Sequence, residues 1–170
     1  MLLAPAPSQG SGLNPLLQNP GMIFHPPILF LGYAGFTVPA CAGLASGLSG
    51  QGYAWLRGVR NPFLIAWVLL TAGIVIGAWW SYMELGWGGY WAWDPVENAS
   101  LLPWLAATAF LHTSLLGRRF QALGRSNILL AGLTLFLCFF ATFLTRSGVL
   151  DSLHTFGDNT AAMPLLFLLL

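Results

Sequence analysis

Four stretches of this chain are long and apolar enough to cross a bilayer, and nothing else in the sequence constrains the fold as strongly. Residues 28–48, 62–80, 100–116 and 128–145 each approach the roughly 20 apolar residues that a membrane-spanning helix needs. A fifth stretch, Met-Pro-Leu-Leu-Phe-Leu-Leu-Leu from Met163, opens in the same way. Composition agrees. Of 170 residues, 56% are hydrophobic and 6% charged, whereas a water-soluble domain carries about 25% charged residues. The same numbers exclude a disordered chain, which would be polar and poor in aromatics. A net charge of +1 excludes a basic nucleic-acid binder. The expected fold is all-α: a polytopic membrane helix bundle of four full transmembrane helices plus the start of a fifth. That unfinished fifth span makes the sequence read as part of a longer chain, truncated at the C-terminus.

The charges orient the bundle. Arg57 and Arg60 lie between spans 1 and 2, and Arg118, Arg119 and Arg125 between spans 3 and 4. Two crossings separate these loops, so they share a side, which the positive-inside rule makes cytoplasmic. The opposite side receives Glu84, Asp94, Glu97, Asp151, Asp158 and the sixth arginine, Arg146. Residues 1–27 then form an external N-terminal segment and 28–170 the transmembrane domain. The N-terminus has no basic region followed by a compact apolar core, so it does not read as a signal peptide. Cys41 and Cys138 sit in apolar runs and form no C-x-x-C, so a thiol oxidoreductase of that type is excluded.

The loop between spans 2 and 3, about 79–98, carries the densest chemistry. Five of the eight tryptophans fall between Trp79 and Trp93, with Tyr82 and Tyr90 among them. An interfacial aromatic belt is the plain reading. The interleaved Gly86, Gly88 and Gly89 favour another, in which backbone and indole faces, among them those of Trp87, Trp91 and Trp93, approach a flat aromatic ligand. Asp94-Pro95-Val96-Glu97 has the spacing of a capping box, with Asp94 at N-cap, Pro95 at N1 and Glu97 at N3. A general acid/base pair at that spacing is the alternative.

Three histidines remain. His112 lies inside span 3, where an ionisable side chain is costly and pairs with a partner or a ligand. It reads either as a helix-to-helix hydrogen bond or as an iron ligand. His25, beside a proline turn at Pro26-Pro27 before span 1, and His154, after span 4, are both external and flank the tryptophan loop. Singly each is ordinary. Together with an aromatic plate they supply what a six-coordinate haem requires. Arg146, at the outer end of span 4, is either a snorkelling anchor or a bidentate partner for a haem propionate or for Asp94, Glu97 or Asp151.

The run from Trp87 to Ser100, Trp-Gly-Gly-Tyr-Trp-Ala-Trp-Asp-Pro-Val-Glu-Asn-Ala-Ser, resembles the WWD signature of the haem-handling proteins of cytochrome c biogenesis. With Leu101-Leu102-Pro103-Trp104, Phe24-His25-Pro26-Pro27 and Thr145-Arg146-Ser147-Gly148-Val149-Leu150, it is most similar to the CcmF branch. The resemblance implies the membrane subunit of a system I cytochrome c haem lyase, in the bacterial cytoplasmic membrane with its haem site external. It implies that His25 and His154 ligate incoming haem, and that His112 is one axial ligand of a stable b-type haem whose second ligand lies outside this chain. The implied partners are a haem carrier protein, an apocytochrome c with a C-x-x-C-H segment, another maturation subunit and the lipid bilayer, with no nucleic acid. The implied reaction attaches haem vinyl groups to the two thiols, and this chain alone is expected to be inactive. A haem transporter or carrier-loading module without attachment activity is the other expectation.

Overall fold

A computed structural model describes residues 12, 15–50, 52, 54–86, 88–117, 123–154 and 162–170. Apart from a short 3-10 turn at Pro15–Leu17, the regular structure among the described residues is six α-helices: α1 (Gly21–Gly35), α2 (Thr37–Ser49), α3 (Trp55–Glu84), α4 (Pro95–Gly117), α5 (Gly124–Ser147) and α6 (Ala162–Leu169). Four segments are long and apolar enough to cross a membrane: Gly21–Ser49, Trp55–Glu84, Pro95–Leu116 and Gly124–Ser147. The chain is thus a polytopic helical bundle, as its hydropathy dictates.

The first span differs from expectation in two ways. It starts at Gly21 rather than at 28, because the helix runs through Pro26 and Pro27. His25 therefore belongs to a helix rather than to a turn before it. The span is also broken at Phe36, where α1 ends and α2 begins. Pro39 accounts for the break, since it has no N–H to return to the carbonyl of Gly35 four residues earlier.

Small residues set how closely the helices approach. A Cβ added at Gly32 of α1 would lie 2.6 Å from the backbone nitrogen of Leu70 in α3, and one at Gly73 of α3 would lie 2.7 Å from Cα of Leu29 in α1. The two helices therefore touch backbone to backbone, the packing that small residues permit in membranes. Below this contact Phe36, Phe63 and Phe110 fill the centre, with ring centroids 4.8 and 4.0 Å apart. Each is fully buried. Helices α3 and α4 are joined by a reciprocal clasp. The Trp67 indole donates to Thr108 Oγ1 at 2.9 Å and the Trp104 indole to Thr71 Oγ1 at 2.9 Å. Each threonine hydroxyl donates in turn to the tryptophan carbonyl of its own helix, at 2.7 Å. No indole N–H of the pair is left unpaired in hydrocarbon, where that would be expensive.

Alternation of the spans puts Arg57, Arg60 and Arg125 at one end of the bundle. The start of α1, the 85–94 loop and the segment after α5 lie at the other, with Glu84, Asp94, Glu97, Asp151 and Arg146. Single cysteines test this. In a background without Cys41 and Cys138, Arg57→Cys should react with an impermeant thiol reagent only from the cytoplasmic side and Asp151→Cys only from outside. Labelling of both from one side would overturn the topology.

Candidate functional site

At the acidic end α1, α3, α4 and α5 splay around a cavity of about 360 Å³, within the size range of small-molecule sites. Its walls include His25, Phe30 and Tyr33 from α1, Gly77 from α3, Trp91 from the loop, Glu97 from α4, Arg146 from α5 and His154. Most of the lining is apolar, and the polar groups come from separate elements. This is the pattern of a site that holds a flat apolar body and orients it through a few fixed groups.

The acidic loop is held as the capping box requires. Asp94 Oδ2 accepts from Val96 N–H at 3.0 Å. Glu97 Oε2 accepts from Ala92 N–H at 2.9 Å and from Asp94 N–H at 3.3 Å. The carboxylates are thus committed to the start of α4, and the acid/base alternative finds no support in this geometry. The turn that precedes the cap strains the chain. Trp93 has φ +61°, a left-handed conformation unusual for a bulky residue, and its carbonyl accepts from Asn98 Nδ2 at 3.0 Å.

Both outer histidines are fixed through Nδ1. In His25 this nitrogen is 2.7 Å from the carbonyl oxygen of Gly73, and its ring fills the space where a Cβ at Gly77 would be, 2.5 Å from Cε1. In His154 the same nitrogen is 3.3 Å from Asp94 Oδ2. Both partners are oxygen acceptors, so each Nδ1 carries the proton and each Nε2 keeps its lone pair. That is the arrangement found behind metal-bound imidazoles. Ring packing adds a wall, for the buried Trp80 meets His154 edge-on at 5.9 Å, and its indole donates to the Leu16 carbonyl at 3.0 Å.

His112 is elsewhere. It stands seventeen residues after Pro95 on α4, about 26 Å from the start of the helix at 1.5 Å per residue. It is exposed on the outside of the bundle. Its Nδ1 donates to the carbonyl of Thr108 at 2.8 Å, so this imidazole also presents Nε2, but outward.

The chain as a whole has relatives among known proteins. The sequence matches the cytochrome C assembly protein family over residues 1–150. The chain belongs to that family. It is 49% identical to the cytochrome c-type biogenesis protein CcmF of Escherichia coli (strain K12), over 91% of this chain and 24% of that protein. It is 51% identical to the cytochrome c-type biogenesis protein CycK of Rhizobium meliloti (strain 1021), over 92% and 23% respectively. A solved structure described as the cytochrome c heme lyase CcmF superposes with a TM-score of 0.69 at 48% identity, over 75% of this chain and 22% of that one. The chain therefore spans about a quarter of the length of these relatives, and among them it is of the CcmF type.

Within this member of the cytochrome c assembly family, the expected site residues divide. His25, His154, Trp91 and Arg146 meet at one cavity, and Asp94 stands behind His154. His112 stands apart. Trp93 is not among the cavity-lining residues and is 73% exposed. Trp87 lies outside the described residues. Sequence reasoning missed Gly73 and Gly77, which receive the His25 ring, although the Gly-x-x-x-Gly spacing of Gly73-Ile74-Val75-Ile76-Gly77 is itself a helix-contact signal. It also missed Ser152.

Proposed function

We propose that this chain forms the haem-receiving part of a CcmF-type cytochrome c haem lyase in the bacterial inner membrane, with the cavity on the periplasmic side. The observation that carries the reading is the pairing of His25 and His154 on one cavity, each with Nδ1 occupied by an acceptor and Nε2 left to donate. Two imidazoles match an iron porphyrin, which brings its own four equatorial nitrogens and needs only axial ligands. Trp91 contributes an apolar wall, and Trp80 packs behind the His154 ring. Substrate haem supplies the vinyl carbons to which the thiols of an apocytochrome C-x-x-C-H segment add, each addition forming one C–S bond and placing the thiol proton on the neighbouring vinyl carbon. The residues of this chain orient the macrocycle, exclude water from its faces and hold its iron. His112, exposed on α4, is suited to a b-type haem shared with a helix from outside the described bundle.

The test is hemin titration of this chain within the complete lyase, followed by presentation of a reduced C-x-x-C-H peptide. A six-coordinate spectrum that depends on both outer histidines, followed by thioether formation, is the expected result. Binding without attachment would leave a transporter or carrier-loading module, and no binding at all would overturn the haem reading.

Arg146 lines the cavity, as does Glu97, and stands at the carboxyl end of α5, where a cation also suits the helix dipole. Its guanidinium is suited to gripping a propionate in a bidentate fork. Arg146→Lys keeps the charge but loses the fork, so hemin affinity should fall in Arg146→Lys and further in Arg146→Gln. Unchanged affinity in both would reduce Arg146 to a membrane anchor.

A further inference from the structure

Asp94 does more than cap α4. Its Oδ2 accepts three hydrogen bonds: from Val96 N–H at 3.0 Å, from Ser152 Oγ at 2.7 Å and from His154 Nδ1 at 3.3 Å. Ser152 Oγ also accepts from His154 N–H at 3.0 Å, so backbone and ring of His154 are both referred to the same carboxylate. The side chains of His154 and Asp94 are only 14% and 12% exposed, so water competes weakly for the bond. Three donors, one from the start of α4 and two from the segment after α5, close on one oxygen. The other outer histidine has no such partner, for its Nδ1 meets the neutral carbonyl of Gly73.

We propose that Asp94 is the positioning residue for His154: its carboxylate fixes the Nδ1–H tautomer, aims Nε2 at the cavity, and makes His154 a stronger electron donor to iron than His25. This inference rests on the haem reading of the cavity. Hydrogen-bond partners of metal-bound imidazoles fix ring orientation and tautomer and raise ligand basicity, and a charged acceptor does so more strongly than a neutral one. Because the same oxygen caps α4, the loop carrying Trp91 and the ligand His154 share one anchor. A displacement of either is felt by the other. Val96, Ser152 and His154 thus form one unit around Asp94.

Two substitutions separate positioning from capping. Asparagine is as good an N-cap as aspartate, so Asp94→Asn keeps the start of α4 and a neutral acceptor, while Asp94→Ala removes both. In the purified haem-free protein with ¹⁵N-labelled histidine, His154 should be a single Nδ1–H tautomer, retained in Asp94→Asn and mixed in Asp94→Ala. With hemin added, Asp94→Ala should lose roughly ten- to a hundredfold in affinity, the usual cost of removing such a partner. Asp94→Asn should lose less hemin affinity than Asp94→Ala and should show a raised iron midpoint potential, because the anionic acceptor is gone. An unmixed tautomer in Asp94→Ala, or an unchanged potential in Asp94→Asn, would overturn the inference and leave Asp94 a cap alone. Hemin binding that survives His25→Ala and His154→Ala would instead sink the haem reading, and that result is independent of the haem-free tautomer measurement.

Discussion

Hemin affinity of this protein is expected to fall more than a hundredfold when either His25 or His154 is replaced by alanine. Losing the hydrogen-bond partner of a metal-bound imidazole already costs about ten- to a hundredfold, and losing the imidazole itself removes an iron bond as well. Each single variant should convert the six-coordinate spectrum to a five-coordinate one, and added imidazole should restore it by filling the vacated axial position. The two variants should differ in rescue. Beside Gly77, the space left by His25 is bounded by the α3 backbone, whereas His154 lies on the segment after α5, next to Asp94 and Trp80. His112→Ala should leave this signal intact, since His112 faces outward from another part of α4. A five-coordinate outer site in His112→Ala, or six-coordinate haem in both outer variants, would contradict the assignment.

The second large effect is on the α1–α3 contact, where three glycines should respond in a graded series. At Gly58 an added methyl meets nothing within 4 Å, so Gly58→Ala should be neutral or stabilising by up to about 1 kcal/mol through helix propensity. At Gly77 the three atoms nearest the methyl all belong to the imidazole of His25. Gly77→Ala should therefore spare the bundle, push the ring off the Gly73 carbonyl and weaken hemin binding. At Gly73 the methyl meets Leu29 Cα, Cβ and N at 2.7–2.9 Å, and a backbone cannot swing aside as a side chain can. Gly73→Ala should cost about 1–3 kcal/mol from overpacking and also break the 2.7 Å bond to His25. Thermal unfolding in detergent, read beside hemin titration, distinguishes the three. Equal behaviour of Gly73→Ala and Gly58→Ala would mean that α1 and α3 are not in backbone contact.

Much of this molecule could be read before its structure was known, and the physical reasons are specific. The spans were legible because lipid forbids unpaired backbone and so demands long apolar runs. The Asp94–Glu97 cap was legible because both partners lie within one turn of each other, and sequence distance then equals spatial distance. The grouping of His25, Trp91, Arg146 and His154 followed from sidedness, since an even number of crossings returns the chain to the same end. What sidedness cannot give is which groups touch. The acceptor behind His154 lies sixty residues upstream and that behind His25 forty-eight downstream, so only packing reveals them. The start of α1 was misplaced because Pro26 and Pro27 read as a turn, whereas the helix accommodates both. Trp93 was counted with its neighbours because composition registers neither a left-handed backbone nor which indoles line the cavity.

The Trp67–Thr108 and Trp104–Thr71 clasp has a mechanical consequence for the site above it. Each helix gives one indole and takes one, so sliding α3 along α4 by a single turn, about 5.4 Å, would break both cross-links together and strand two donors in lipid. The hairpin has one register and no intermediate one. The ten residues that join Glu84 to Pro95 are consequently slung between two posts that cannot shift lengthwise. A motion of α3 with α4 is therefore a tilt of the two posts as one rigid frame, to which the segment beyond Ser147 is tied at Asp94 through Ser152 and His154.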